Sequence, residues 1–179
     1  RVIRFLSAHL PLSTNWDDYL YLAQLNQGIA LKICLEHWRF NQPATNGSII
    51  WQINDTWPAT SWALIDSELK PKLSYYFVKN AFASQAIRIK KNIDIIEIEA
   101  LNQTDKIFSG TIEFLAIESA TGKTLFKKNI SVDISGESIS CLISINKQFD
   151  SCAIIIATLI DDKKNIISRN YYCSKEWKH

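Results

Sequence analysis

The hydrophobic period of this chain changes near residue 84, and the change limits it to two kinds of structure in series. Before that point apolar residues recur at helical spacing; after it they alternate with polar ones. From Ala86 onward Ile87/Ile89, Ile93/Ile95, Ile112/Phe114/Ala116, Ile130/Val132/Ile134 and Ile139/Cys141/Ile143/Ile145 follow a period of two, the mark of half-buried strands. Turn-forming residues separate them at 102–106, Thr121-Gly122-Lys123, Ser135-Gly136-Glu137 and 161–165. That leaves about seven strands in roughly ninety residues, which predicts an antiparallel sandwich. The Cys-Trp-Cys signature of antibody domains is missing, since Trp177 is the sole tryptophan after Trp62. The architecture is therefore expected without membership of that family, and the boundary is placed in residues 82–85.

Before the boundary, Asp17 to Phe40 reads as one long helix. Thr14 or Asn15 can cap it, Asp17 and Asp18 suit its first turn, and Leu22, Leu25, Ile29 and Ile33 form a stripe. Ser48-Ile49-Ile50-Trp51-Gln52-Ile53 is apolar on both faces, as a strand covered on two sides would be. An irregular stretch follows from Trp57-Pro58 to about Asp66, and Pro71 can open a second helix through Tyr75, Tyr76, Val78 and Phe82.

Composition narrows the function. Of 179 residues 47% are hydrophobic, enough for a real core, and 20 basic against 18 acidic residues give a net charge of +2 without a basic block. Nucleic acid is a poor partner for such a chain. No apolar run is long enough to span a membrane, and the opening Arg1 to Leu6 is too short for a signal peptide. The absence of Met fits an internal segment of a longer protein. Cys34, Cys141, Cys152 and Cys173 have neither CxxC spacing nor histidine partners, so buried thiols are expected rather than zinc. Asn46-Gly47-Ser48, Asn54-Asp55-Thr56, Asn102-Gln103-Thr104 and Asn129-Ile130-Ser131 are formal glycosylation acceptors.

One segment asks for a chemical explanation. Trp51-Gln52-Ile53-Asn54-Asp55-Thr56-Trp57-Pro58 places two indoles, amides and a carboxylate at the end of the predicted buried strand, the end that faces the site in an α/β barrel. Sugars present flat C–H faces and a rim of hydroxyls, so their pockets combine an aromatic plate with Asn, Asp or Gln. The plainer alternative is that Trp51 and Trp57 fill space while Asn54 and Asp55 cap a loop. Asp55 lacks a second carboxylate at a comparable strand end, as paired acid catalysis would need. Glu36 falls in a helix, Asp66 and Glu68 in a polar loop, and the acids of the sandwich at solvent-facing positions. His9 and His37 lack nucleophile or metal-ligand partners at a telling spacing.

The run Ile50 to Pro58, with Ser61-Trp62 and Ile65-Asp66, resembles the last barrel strand of the β-mannosidases of glycoside hydrolase family 2. Tyr21 to Gly28 and Glu36-His37-Trp38-Arg39 resemble the preceding helix, and Lys72, Tyr75, Tyr76, Phe77 and Phe82 the following one. The resemblance covers about residues 17 to 83; Ser67 to Lys72 depart from it, because relatives commonly carry a glycine and an aromatic residue before the matching lysine.

The resemblance implies an α+β composite: residues 1–83 as the terminal piece of a (β/α)8 barrel, and 84–179 as an immunoglobulin-like β-sandwich. It implies retaining hydrolysis of terminal β-mannosides with no cofactor and no metal, by two glutamates expected upstream of Arg1, hence no catalytic residue here. Trp51 is then the platform beneath the terminal sugar, with Asn54, Asp55 and Trp62 shaping the wall. The implied partners are a β-linked oligosaccharide or glycoside and the remainder of a parent chain. Hydrolases of this kind commonly meet their glycans outside the cytoplasm. Two alternatives stand beside this one: a non-catalytic carbohydrate-binding or bracing sandwich, and a β-galactosidase or β-glucuronidase relative.

Overall fold

A computed structural model describes residues 2–92, 95–146 and 153–173. Ile93, Cys152 and Trp177, which entered the strand, thiol and tryptophan arguments, lie outside the described residues. The chain divides into two compact units at the step from Phe82 to Ala83.

The first unit holds three helices: α1 (Val2–His9), α2 (Trp16–Arg39) and α3 (Leu73–Ala81). The boundaries of α2 match the sequence reading within a residue. Asn15 caps it by accepting from the amides of Asp17 (2.9 Å) and Asp18 (3.1 Å), and both acids sit in the positive first turn. The packed line of α2 differs from the predicted stripe. Ile33 is 60% exposed, whereas Gly28, Leu35 and Arg39 are buried, and Leu31 and Leu35 pack with Leu64, Val78 and Ala81. The guanidinium of Arg39 donates to the carbonyl of Ala81, satisfying an acceptor at the end of α3. Helix α3 starts two residues after Pro71, because Pro71 still pairs with Ile65 and Lys72 occupies the cap. Helix α1 was not anticipated.

The predicted buried strand over Ser48 to Ile53 is not formed. Ile49 is 96% exposed and Ile53 58% exposed. The backbone bonds here come from Leu64 and Ile65 to Gln52 and Ile53, beside a single parallel bridge from Asn54 to Ile65, and a ladder needs a longer neighbour than that. An apolar run states what a strand would bury but does not supply the partner.

The second unit contains β1 (Gln85–Lys91), β2 (Ile95–Asn102), β3 (Phe108–Glu118), β4 (Thr124–Ile134), β5 (Ser138–Asn146), β6 (Ala153–Asp161) and β7 (Ile166–Cys173). They form a three-stranded sheet, β1-β2-β5, and a four-stranded sheet, β4-β3-β6-β7, with every pair antiparallel. Alternation places Ile96, Ile98 and Ala100 of one sheet in the same core as Ile112, Phe114, Ala116, Ile155 and Leu159 of the other, so the two sheets form a sandwich. The open side between β1 and β7 is stitched by side chains: Asn170 Nδ2 donates to Ile87 O (2.8 Å) and the amide of Ile87 to Ser168 Oγ (3.1 Å).

Among the described residues of this unit four polar ones are buried, Glu99, Asn102, Thr158 and Asn170, and Glu99 departs from the solvent-facing pattern expected of the sandwich's acids. Glu99 is 9% exposed, bound by Arg88 Nε at 2.5 Å and Lys90 Nζ at 3.2 Å across the β1-β2 ladder. Asn102 is fully buried. Its Nδ2 is shared among the carbonyls of Lys106, Ile134 and Ser135, and its Oδ1 accepts from the amide and hydroxyl of Thr104. One amide thus ties the β2-β3 turn to the β4-β5 turn. The expected thiol burial is not seen: Cys34 and Cys141 are exposed and Cys173 half-buried, all three free.

Candidate functional site

The chemistry-bearing segment is built by two stretches lying side by side. Leu64 donates its amide to the carbonyls of Gln52 and Ile53 (both 3.1 Å), Ile65 to Ile53 (2.9 Å), and Asp55 returns its own amide to Ile65 (3.0 Å). Residues 52–55 and 61–65 are thereby held together, and the amide of Lys72 joins them by donating to Leu64 O (2.8 Å). The Trp51-Gln52 peptide is cis.

Side chains complete the arrangement. Asp55 Oδ1 accepts from Ser61 Oγ at 2.5 Å, Oδ2 from Lys72 Nζ at 2.8 Å, and Lys72 also reaches Ser61 Oγ at 3.4 Å. Ser61 Oγ in turn accepts the amide of Ala63 (3.0 Å). The hydrogen bond from Lys72, followed by that from Ser61, holds the Asp55 carboxyl below its ordinary value. With its side chain 6% exposed and each oxygen accepting a hydrogen bond, Asp55 is a held, ion-paired carboxylate.

The aromatic groups have the opposite character. Trp51 is 76% exposed, Trp57 68% and Trp62 63%, and the side chain of Asn54 is exposed while donating to Asp55 O at 3.2 Å. Of the four residues singled out from sequence, then, Trp51, Asn54 and Trp62 face outward and Asp55 is engaged beneath them. Two glutamines of α2 support the same region: Gln27 Nε2 donates to Trp62 O (2.8 Å) and Gln24 Oε1 accepts the amide of Leu73 (2.9 Å). Ser61, Lys72, Gln24 and Gln27 were not identified as partners from sequence. Asp55 and Lys72 lie too far apart along the chain for any period to link them. Exposed indoles beside an amide can stack on a flat apolar ligand face and offer hydrogen bonds, and the carboxylate among them is held by Lys72 and Ser61.

A comparison with protein-family models finds no match. The β-D-mannosidase of Dictyoglomus thermophilum superposes on 99% of this chain with a TM-score of 0.90 and 34% identity, using 22% of its own length. Beta-mannosidase B of Aspergillus niger is 24% identical over 200 residues, covering 100% of this chain and 24% of that protein. The exo-chitosanase of Amycolatopsis orientalis shares the fold, with a TM-score of 0.75 at 21% identity over 98% of this chain and 23% of its own. The chain thus spans about a quarter of the length of the relatives it matches. The resemblance first carried by residues 17 to 83 therefore holds over nearly the whole length, and the chain is similar to a carboxyl-terminal-type piece of the family 2 β-mannosidases.

Proposed function

We propose that this chain is the carboxyl-terminal part of a retaining glycoside hydrolase that releases mannose from β-mannosides. The observation that carries the reading is the agreement, in 34% of residues and over 99% of the chain, with a β-D-mannosidase. In this reading residues 1–83 end a (β/α)8 barrel and 84–179, next in the chain, form an immunoglobulin-like sandwich.

Retaining hydrolysis uses two carboxyl groups about 5 to 5.5 Å apart, one attacking the anomeric carbon and one moving the proton. Asp55 is ion-paired with Lys72 and hydrogen-bonded by Ser61, and no second carboxylate stands at a comparable place in the segment to complete the pair. The glutamates belong to the rest of the parent protein, and this chain contributes Trp51 as the platform for the sugar face, with Asn54 and Trp62 in the wall. No metal or organic cofactor enters the chemistry.

The test is aryl β-mannoside hydrolysis by this chain beside the same polypeptide extended upstream, with aryl β-galactoside and β-glucuronide as controls. Turnover of the mannoside by the extended polypeptide alone is the expected result. Turnover by the short chain would refute the placement of the glutamates, and preference for either control would refute the sugar assignment. Silence in both would favour a non-catalytic module.

A further inference from the structure

We propose that Asp55, tied to Ser61 and Lys72, is a positioning residue that holds the indoles of Trp57 and Trp62 as part of the sugar-facing wall. The proposal rests on the hydrolase reading for what the wall contacts, but not for what holds it. Trp57 has been given no role beyond space filling, and its 68% exposure argues against that one. An indole so exposed is not fixed by packing; it sits where its backbone puts it. Residues 56–60 make no backbone–backbone hydrogen bond among the described residues, so their course is set by the two ends of the loop.

Both ends converge on one carboxylate. Asp55 begins the loop, its amide bound to Ile65 O, and Ser61 ends it with its hydroxyl on Asp55 Oδ1. The bond closes a ring of seven residues that contains Trp57 and Pro58. Trp62 follows directly, between Ser61, fastened to Asp55, and Ala63, whose amide is fastened to Ser61 Oγ; its carbonyl is held from the other side by Gln27. The ring is then anchored to α3, because Asp55 Oδ2 binds Lys72, the residue capping that helix. The neighbouring charges are spoken for: Glu68 pairs with Lys70, and Asp66 Oδ1 accepts the amides of Glu68 and Lys70. Lys72 is thus the cation that pairs with Asp55. A wall made of mobile indoles would lose stacking free energy to ordering on each binding event, and the closed ring removes that cost in advance.

The substitution D55N keeps the shape and removes the charge that holds Ser61 and Lys72. In the upstream-extended polypeptide with aryl β-mannoside, D55N is expected to lower kcat/KM at least tenfold, mostly through KM. In a W57A/W62A background the same substitution should lower it less than twofold, because a positioning residue has no effect once the groups it positions are gone. An equal loss in both backgrounds would overturn the proposal. S61A, which opens the ring but leaves the Asp55–Lys72 pair, should act in the same direction more weakly and serves if D55N fails to fold. A second readout is independent of hydrolysis. In the 179-residue chain the indole N–H resonances of Trp57 and Trp62, assigned from W57A and W62A, should shift or broaden in D55N while those of Trp16 and Trp38 stay in place. Unmoved Trp57 and Trp62 resonances would refute the positioning role; a wild-type extended polypeptide without hydrolysis would refute the hydrolase reading alone.

Discussion

Replacing Gly28 by alanine sets two opposed effects of similar size against each other, and the structure decides the sign. A β-carbon at Gly28 would lie 2.5 Å from Phe77 Cδ2, 2.8 Å from Cε2 and 3.1 Å from Cγ. Carbon atoms rest about 3.5 to 4.0 Å apart, so the ring must retreat by roughly 1 Å. Because Cγ is itself too near, swinging the far edge of the ring does not relieve the clash; χ1 or the helix must move. Overpacking of this kind costs about 1 to 3 kcal/mol. Alanine in a helix interior recovers about 1 kcal/mol over glycine. The expected net loss is about 1 kcal/mol, or a fall in Tm of about 4 to 8 °C for a unit of this size. Helical circular dichroism at 222 nm follows the first unit, because the regular elements of the second are strands. In a Phe77→Ala background the obstacle is gone and Gly28→Ala should stabilise by about 1 kcal/mol. The same loss in both backgrounds, or a neutral effect in the wild type, would refute the close-packing argument.

Leu69 adopts φ +63 and is 76% exposed, so Leu69→Gly should stabilise the first unit by about 0.5 to 1 kcal/mol in denaturant titration, relieving left-handed strain at some cost in chain entropy. Asn102→Asp should cost about 3 kcal/mol or more in the second unit, because a buried carboxylate would face the three carbonyls that now receive its N–H groups; urea titration of the 179-residue chain measures it. Trp51→Ala in the extended polypeptide should raise KM for the aryl mannoside about tenfold by removing the stacking plate. Asp55 and Asp161 both have carboxyls held below the usual value, so their contribution is present above about pH 4 and lost as pH falls through the lowered pKa. Lys90 is held above its usual value by Glu99, and its contribution, present below that value, is lost as pH rises through the raised one. Acid and alkaline melts of D55N and K90M should therefore lose pH dependence on the acid side and the alkaline side respectively.

Strands β3 and β4 were legible because Ile112/Phe114/Ala116 and Ile130/Val132/Ile134 turn one face to the core, whereas Ile95 marked the wrong phase of β2, whose core face is Ile96, Ile98 and Ala100. The turns were legible because Gly122, at φ +71, and the Asp161–Asn165 hydrogen bonds need those residue types. The buried face of α2 was not legible. Leu22, Leu25, Ile29 and Ile33 on one arc compete with Leu31 and Leu35 on another, and the choice is made by contacts with α3. Ser48 to Ile53 misled for a related reason, since periodicity describes a segment and pairing describes its neighbours. At the site, Trp51, Asn54 and Trp62 stood out by chemistry, whereas the locking of Asp55 by Ser61 and Lys72 exists only after folding.

Asn102 begins a formal glycosylation triplet, yet its amide nitrogen is the most engaged polar group at the meeting of two turns. A glycan on that nitrogen and the folded sandwich are mutually exclusive. In a compartment that glycosylates, the race between the transferase and the closing of the β2-β3 and β4-β5 turns would decide whether the domain forms, so rapid folding here doubles as protection. Asn129, on the outer edge strand β4 and exposed, carries no such conflict, and a sugar there would leave the core untouched. The fold itself thus sorts these triplets into one that structure forbids and one that it permits.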